Sequence, residues 1–332
     1  MSTLDGRILV TGGAGFIGSA LIWALNQRGL TDIMVTDVGL TDEKRRNFAP
    51  LKFSDYLEAA DFRARIAQNP DAFGAFATVF HLGACSSTTE KNFTYLLDNN
   101  FAVTKELAAW SLARSTRFIY ASSAATYGDG SQGMDDRDDN LARLKPLNFY
   151  GESKHLFDLH AQKAGWLPRI VGLKYFNVFG PNEDHKGDMR SLVNKAYRQI
   201  LATGEVGLFK SYKPEFKDGE QQRDFLYVKD AVEMTLHFAE KATGAGGLYN
   251  LGSGEAQTWI TLATAIFSAL GRKPAIKFIE MPAELQGKYQ YFTQADITKL
   301  RSTGYDRPTT PLHAAVGDYV RNYLVPGKTL GA

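Results

Sequence analysis

The chain has 332 residues, 44% of them hydrophobic and 22% charged, an ordinary soluble composition at a length that favours two domains. Its 38 basic and 36 acidic residues leave a net charge of +2 and are spread along the chain, which argues against a phosphate-tracking surface and a nucleic-acid partner. Cys85 is the one cysteine, so no intramolecular disulfide forms; no apolar run nears the roughly 18 residues of a membrane span, and without a signal-like leader a cytoplasmic location is expected.

From Arg7 onward short apolar runs alternate with longer amphipathic ones, the pattern of βαβ units in a parallel sheet. RILVTG reads as a strand, GFIGSALIWALNQRG as a helix closed by Gly29, DIMVTD and ATVFHLGA as strands, and YLLDNNFAVTKELAAWSLARS as a long helix before the strand RFIYASS. The acidic stretch 129–140 reads as a solvated connection, and KPLNFYGESKHLFDLH, 145–160, as a surface helix. RIVGLKYFNVFG follows as a strand leaving the sheet. After Pro181 the alternation becomes irregular around one helix, DMRSLVNKAYRQILATG, and sheet-like character returns at RDFLYV and GLYNLGSG. The fold class is therefore α/β: a Rossmann-type doubly wound parallel sheet with a smaller, discontinuous C-terminal substrate lobe. Residues 1–180 with a returning segment near 223–250 form the dinucleotide-binding domain, and 181–222 with 251–332 the substrate-binding domain. His81 and Cys85 flank a strand end and read as packing; with neither HExxH nor paired CxxC present, no metal site is expected.

TGGAGFIG lies between the first strand and first helix and places Gly12, Gly15 and Gly18 in a GxxGxxG spacing. Glycine permits the tight turn, the close approach of a pyrophosphate and the packing of helix on sheet, while the helix N-terminus supplies amide donors. Asp37 closes the second strand about 20 residues on, where a carboxylate accepts from the adenosine ribose. Alone it favours NAD, yet Lys44, Arg45 and Arg46 follow at once and can neutralise a ribose phosphate.

Tyr150 and Lys154 are four apart and share a helix face. An ammonium nearby is expected to lower a phenol from its usual pKa near 10 by about 1–3 units, making a usable acid or base. Ser123, in ASSAATYG beyond a strand's carboxyl end, can orient a substrate oxygen beside Tyr150.

Together these residues resemble the extended short-chain dehydrogenase/reductases, in the NAD-dependent epimerase/dehydratase group. The stretches GACSSTTE (83–90), ASSAATYG (121–128), FNVFGPNEDHKGDMRS (176–191), RDFLYV (223–228) and GKYQYFTQADITKLR (287–301) resemble its ADP-heptose 6-epimerase branch. The resemblance implies an isomerase holding NADP tightly, with NAD as the alternative. It oxidises carbon six of an ADP-heptose to a ketone and reduces it from the opposite face, converting the D-glycero-D-manno to the L-glycero-D-manno sugar. It further implies a place in lipopolysaccharide core biosynthesis and a homo-oligomer, a pentamer among the options. One base does not easily serve both faces; the resemblance implies that Tyr150 serves one, that the family's second base falls on Lys186 of HKG, and that Lys154 holds the nicotinamide ribose. Carried over by position, the coenzyme meets Phe16, Ile17, Asp37, Val38, Lys44, Leu82, Gly83, Ala84, Cys85, Ser86, Asn99, Lys154, Val178 and Lys186. The substrate meets Asn177, Asp188, Lys195, Phe209, Lys210, Ser211, Tyr212, Arg223 and Tyr289, Arg223 being suited to a diphosphate as a charged donor fork. Val38, Ala59 and Asp188 depart from the pattern expected at their positions.

Rival readings share the fold. A nucleotide-sugar dehydratase needs an acid and a base after the serine, where Ala124 and Ala125 stand. A UDP-hexose 4-epimerase uses the same redox logic at another carbon. A non-enzymatic NAD(P)-sensing protein has no need of Tyr150 and Lys154 together.

Overall fold

The computed structural model describes residues 2–287 and 289–332, so Lys288 of the GKYQYF stretch lies outside the described residues. Seven parallel strands form the main sheet: β1 (Ile8–Thr11), β2 (Ile33–Asp37), β3 (Asp55–Glu58), β4 (Thr78–His81), β5 (Arg117–Ser123), β6 (Val171–Tyr175) and a last strand, Gly247–Leu251. Their order across the sheet is β3-β2-β1-β4-β5-β6 and then Gly247–Leu251, a doubly wound arrangement that reverses direction between β1 and β4. The inner strands are apolar throughout because both faces are covered. Ile8 and Val10 join the core beneath the helices Phe16–Gln27 and Val228–Glu240, while Leu9 points into a second core with Phe62, Phe118 and Phe157.

Four corrections to the sequence pattern emerge. RIVGLKYFNVFG is two strands: after β6, Phe176 still bonds Leu251 (2.9 Å), and the chain then crosses to β7 (Asn177–Phe179) in a different sheet. There β7 pairs in parallel with β9 (Gln222–Tyr227), which pairs antiparallel with β11 (Ala256–Thr258); β8 (Val206–Phe209) and β12 (Ile276–Ile279) form a third, two-stranded sheet. The segment returning near 223–250 therefore divides. RDFLY belongs to the small sheet, whereas Val228–Glu240 packs on Phe16–Gln27 and Gly247–Leu251 (β10 in chain order) completes the main sheet. Thirdly, the helix Phe149–Lys163 is not a surface helix: Gly151, Ser153, Lys154, His155, Phe157, Asp158 and Ala161 are buried, and Ser153, Lys154 and Asp158 face inward onto partners. Lastly, the acidic stretch 129–140 is not merely solvated, since Asp136 is 5% exposed and accepts the Asn250 amide at 2.8 Å.

Among the described residues no helix is long and apolar enough to cross a membrane.

Candidate active site

The crevice at the carboxyl ends of β1, β4 and β5 opens into a cavity of about 680 Å³. After β1 the chain turns sharply at Gly12 (φ +68°). A methyl group there would lie 2.6 Å from the Gly83 backbone, and one on Gly18 2.1 Å from the Gly12 carbonyl, so both positions require glycine. Gly15 caps the first helix with no side-chain bond, and its α-carbon faces the cavity. This is a cradle for a diphosphate: space that a Cβ would fill, beside free amides at a helix N-terminus. Gly13, which the spacing pattern passes over, is as constrained, since a Cβ there would meet Val35 at 2.4 Å.

Asp37 is 5% exposed and fully engaged. One oxygen accepts the Ala14 amide at 2.8 Å, and the other accepts the Val38 amide at 2.7 Å and the Lys44 ammonium at 2.8 Å. Lys44 therefore cancels the charge of Asp37 rather than lying solvated on its helix, Asp42–Phe48, while Arg45 and Arg46 of that helix are exposed. Leu82 to Ser86 follow β4 and are held by Asn100, which accepts the Cys85 amide (2.9 Å) and donates to the Cys85 carbonyl (3.0 Å) and Ser153 (2.9 Å). No local signal marks Asn100 in the sequence. His81 sits between the hydroxyls of Thr11 (2.7 Å) and Thr104 (2.9 Å), and burial pushes it down to about 3, so it packs as a neutral ring. Among the described residues no cluster of ligand side chains could hold a metal.

Tyr150, Lys154 and Ser123 reach the cavity from two elements. The helix bearing the first two starts at Asn148, whose side chain accepts the Gly151 amide at 2.8 Å. Ser122 turns away and donates to Asp158 at 2.7 Å, whereas Ser123 accepts the Ala125 amide at 3.1 Å and faces the Tyr150 phenol. The expected depression of Tyr150 by Lys154 is absent. Burial pushes the phenol up, with the nearby Ser123 hydroxyl opposing, while the Lys154 ammonium donates to the Ala121 carbonyl at 2.8 Å. Burial pushes Lys154 itself down to about 8.

Lys186 enters from the segment Pro181–Met189 with its ammonium 4.9 Å from the Phe16 ring centre. It is not the exposed loop lysine that its surroundings in the sequence suggest: burial pushes it down, opposed by the buried carboxylate of Glu183. All the residues assigned to the coenzyme by position line this one cavity, together with Tyr150, Ser123 and Lys186.

The residues assigned to the substrate do not line it. Arg223 on β9 is 5% exposed, its guanidinium 4.9 Å from the Tyr289 ring and 5.7 Å from that of Trp259, and its hydrogen bond goes to the Gln222 carbonyl (2.8 Å). No carboxylate of the described residues pairs with it, so the surface ion pair that its charge alone suggests is absent. Trp259, unmarked in the sequence, donates to the Tyr289 hydroxyl at 2.8 Å, and Phe209 packs edge-on to Tyr289. Asn177 accepts from Thr293 (3.4 Å) near this group. Lys210 and Tyr212 instead bind Glu280, and the Ser211 amide binds Asp218 (2.8 Å). Asp188 and Lys195 are exposed, and Lys195 donates to the backbone carbonyl of Asp188 at 3.3 Å.

The chain is similar to known proteins along most of its length. The chain is 48% identical over 95% of its length to the ADP-L-glycero-D-manno-heptose-6-epimerase of Nitratidesulfovibrio vulgaris, of which it covers 97%. It is 44% identical over 96% of its length to that of Fusobacterium nucleatum, covering 98% of it. The crystal structure of the Helicobacter pylori ADP-L-glycero-D-manno-heptose-6-epimerase superimposes with a TM-score of 0.78 at 26% identity, covering 96% of each chain. Residues 8–252 match the family model for NAD dependent epimerases and dehydratases. The chain belongs to the NAD dependent epimerase/dehydratase family.

Proposed function

We propose that this chain is an isomerase that inverts carbon six of ADP-D-glycero-D-manno-heptose to give the L-glycero-D-manno sugar, the activity named for the relatives that match it end to end. The observation that carries this reading is one cavity where a dinucleotide cradle, the Tyr150 phenol, Ser123 and Lys186 converge, beside a lobe presenting a buried guanidinium that no carboxylate of the described residues neutralises.

When bound, the nicotinamide coenzyme supplies reversible oxidation of the carbinol to a ketone, so that inversion needs no net redox. The chain's own residues do the rest. Gly12, Gly15 and Gly18 with the Phe16 and Ile17 amides hold the diphosphate, Asp37, Val38 and Lys44 the adenosine ribose, and Lys154 the nicotinamide ribose. Leu82 to Ser86, Asn99 and Val178 wall the passage between them. Ser123 orients the carbinol oxygen against Tyr150. The phenol, held protonated by burial, and the Lys186 amine, made easier to deprotonate by burial, move the proton at the two faces of the ketone. Arg223, between Trp259 and Tyr289, takes the substrate diphosphate, where an unpaired donor fork stabilises an anion.

The coenzyme we assign is NADP. Lys44 already cancels Asp37, and the exposed Arg45 and Arg46 add positive charge beside the ribose, which together favour a 2′-phosphate. Denaturing the purified protein and identifying the released dinucleotide tests this; NAD alone would overturn it.

The activity is tested by incubation with ADP-D-glycero-D-manno-heptose while the diastereomer ratio is followed, in parallel with UDP-hexoses. Product formed in deuterated water is expected to carry no deuterium at carbon six. Full solvent labelling would indicate carbanion chemistry, and turnover of UDP-hexoses alone would replace the substrate.

A further inference from the structure

The segment Pro181–Met189 brings Lys186 to the cavity, and it also crosses the glycine turn. A Cβ built on Gly15 would lie 4.0 Å from Nε2 of His185, the one side-chain atom among the described residues within that distance of the Gly15 position. His185 lines the same cavity as the cradle.

The segment hangs from two buried amides distant in the chain. Asn47, 2% exposed, donates its Nδ2 hydrogens to the carbonyls of Asn182 (3.0 Å) and Ala14 (3.2 Å), and the same nitrogen lies 3.5 Å from Nδ1 of His185. Carbonyls only accept, so the NH₂ end of Asn47 is the end that faces them. Both of those hydrogens go to carbonyls and an amide nitrogen does not accept, so a hydrogen on Nδ1 would meet no acceptor there; the ring hydrogen therefore belongs on Nε2, which points to the cradle. Asn182, 5% exposed, donates to Ser19 on the first helix at 3.0 Å and accepts the Leu330 amide at 2.9 Å. Its φ of +78° is left-handed, a conformation that asparagine adopts more readily than most non-glycine residues, and its two side-chain bonds hold it there. Two side chains thus join the glycine turn, the first helix, the helix carrying Lys44, the segment carrying Lys186 and the chain near Leu330. The charged groups facing His185 are Lys44, Lys186, Asp37 and Asp184; burial and the two lysines push it down to about 4, leaving a neutral donor.

We propose that Pro181–Met189 is a strap across the coenzyme diphosphate, that His185 donates its Nε2 hydrogen to a phosphate oxygen there, and that Asn47 and Asn182 are the positioning residues that hold the strap in place. The inference rests on the dinucleotide reading of the cavity given above. It gives retention of the coenzyme a physical cause. Because the same strap carries Lys186, release of the dinucleotide and misplacement of the second proton carrier become one event.

The experiment measures the rate at which purified holoenzyme releases NADPH or NADH, followed by coenzyme fluorescence in the presence of an excess trapping dehydrogenase. His185→Phe keeps the bulk and removes the donor; His185→Gln keeps an N–H at similar reach. Release is expected to be roughly tenfold or more faster for His185→Phe, the size of a lost hydrogen bond to a charged group, and close to the parent rate for His185→Gln. Asn47→Ala is expected to release faster as well, with a melting curve showing that it has folded; if it does not fold, the His185 pair decides. Equal release from the parent and His185→Phe would overturn the strap while leaving the dinucleotide reading intact. A parent protein that retains neither coenzyme would overturn both.

Discussion

Lys154 donates to the carbonyl of Ala121 at 2.8 Å, which ties the helix bearing Tyr150 to the end of β5 and leaves the phenol to Ser123. The lysine is therefore an anchor and a buried charge before it is a tuner of Tyr150. In the proposed reaction the phenol carries the proton at one face and Lys186 at the other. Tyr150→Phe removes the phenol oxygen and keeps the ring that packs there. Epimerisation is expected to fall by about 10²–10⁴-fold, the usual share of a general acid or base. The released dinucleotide, measured after denaturation, should be undiminished; near-parent turnover would take Tyr150 out of the reaction.

The Lys154 charge has a consequence for stability. Its pKa is pushed by burial from 10.5 to about 8, so the folded chain binds this proton less tightly than the unfolded chain. Between those two values the unfolded state carries more protons, and stability must rise with pH; below about 8 the penalty is present in full, on the order of 3 kcal/mol. Lys154→Met removes it. Denaturant unfolding of coenzyme-stripped protein at pH 7 and pH 10 is expected to show stability rising more with pH in the parent than in the variant. A pH dependence identical in the two would show that Lys154 titrates normally.

How much of this was legible in the sequence follows from chain distance. The glycine turn and the Tyr150–Lys154 pair are local, and spacing alone fixes which groups share a face. Lys186 and Arg223 carry no such signal, and resemblance to relatives was what singled them out. Asn47 and Asn182 are 135 positions apart, and their contact depends on how the strap folds back over the first helix, which no local pattern encodes. The inward face of the helix Phe149–Lys163 is hidden for a related reason: Ser153, Lys154 and Asp158 look solvent-facing in the sequence, but Asn100 donates to Ser153, β5 offers the Ala121 carbonyl to Lys154, and β5 and β6 bring Tyr120, Ser122 and Lys174 to Asp158.

The glycines of the turn should separate by experiment. A methyl on Gly18 would meet the Gly12 carbonyl at 2.1 Å, backbone against backbone, so neither side can yield. Gly18→Ala is expected to lower the melting temperature markedly and to purify without coenzyme. On Gly15 the methyl would lie 3.1 Å from the same oxygen and otherwise face the cavity, so Gly15→Ala should fold yet bind the dinucleotide more weakly, since the methyl occupies diphosphate space. Equal melting temperatures for the two variants would contradict this account of the turn.

Arg223 offers a binding test independent of the coenzyme. Its guanidinium lies 4.9 Å from the Tyr289 ring and 5.7 Å from that of Trp259 with no carboxylate partner among the described residues, an arrangement that costs desolvation unless an anion arrives. Arg223→Gln keeps hydrogen-bonding capacity and loses the charge. KM for the nucleotide sugar is expected to rise about 10- to 100-fold, the worth of a charged hydrogen bond, with kcat less affected and coenzyme retention unchanged. An unaltered KM would remove Arg223 from the substrate site.

Behind Ser123 lies a buried ion pair that holds the catalytic helix against the sheet. Asp158, 0% exposed, accepts from Tyr120 (2.8 Å) and Ser122 (2.7 Å) and lies 3.6 Å from the Lys174 ammonium, which donates to Thr126 (2.7 Å) and sits 4.4 Å from the Tyr127 ring centre. Removing one partner strands the other charge away from water, so Asp158→Ala is expected to cost about 3–5 kcal/mol. Removing both with similar volume, Asp158→Leu with Lys174→Met, leaves no stranded charge and should cost well under the sum of the single changes. A double-mutant cycle by urea unfolding measures the difference, expected at about 1–3 kcal/mol of coupling. Simple additivity would mean that the pair is held apart by its hydroxyl partners, and that the helix bearing Tyr150 depends on packing against β5 and β6 rather than on these charges.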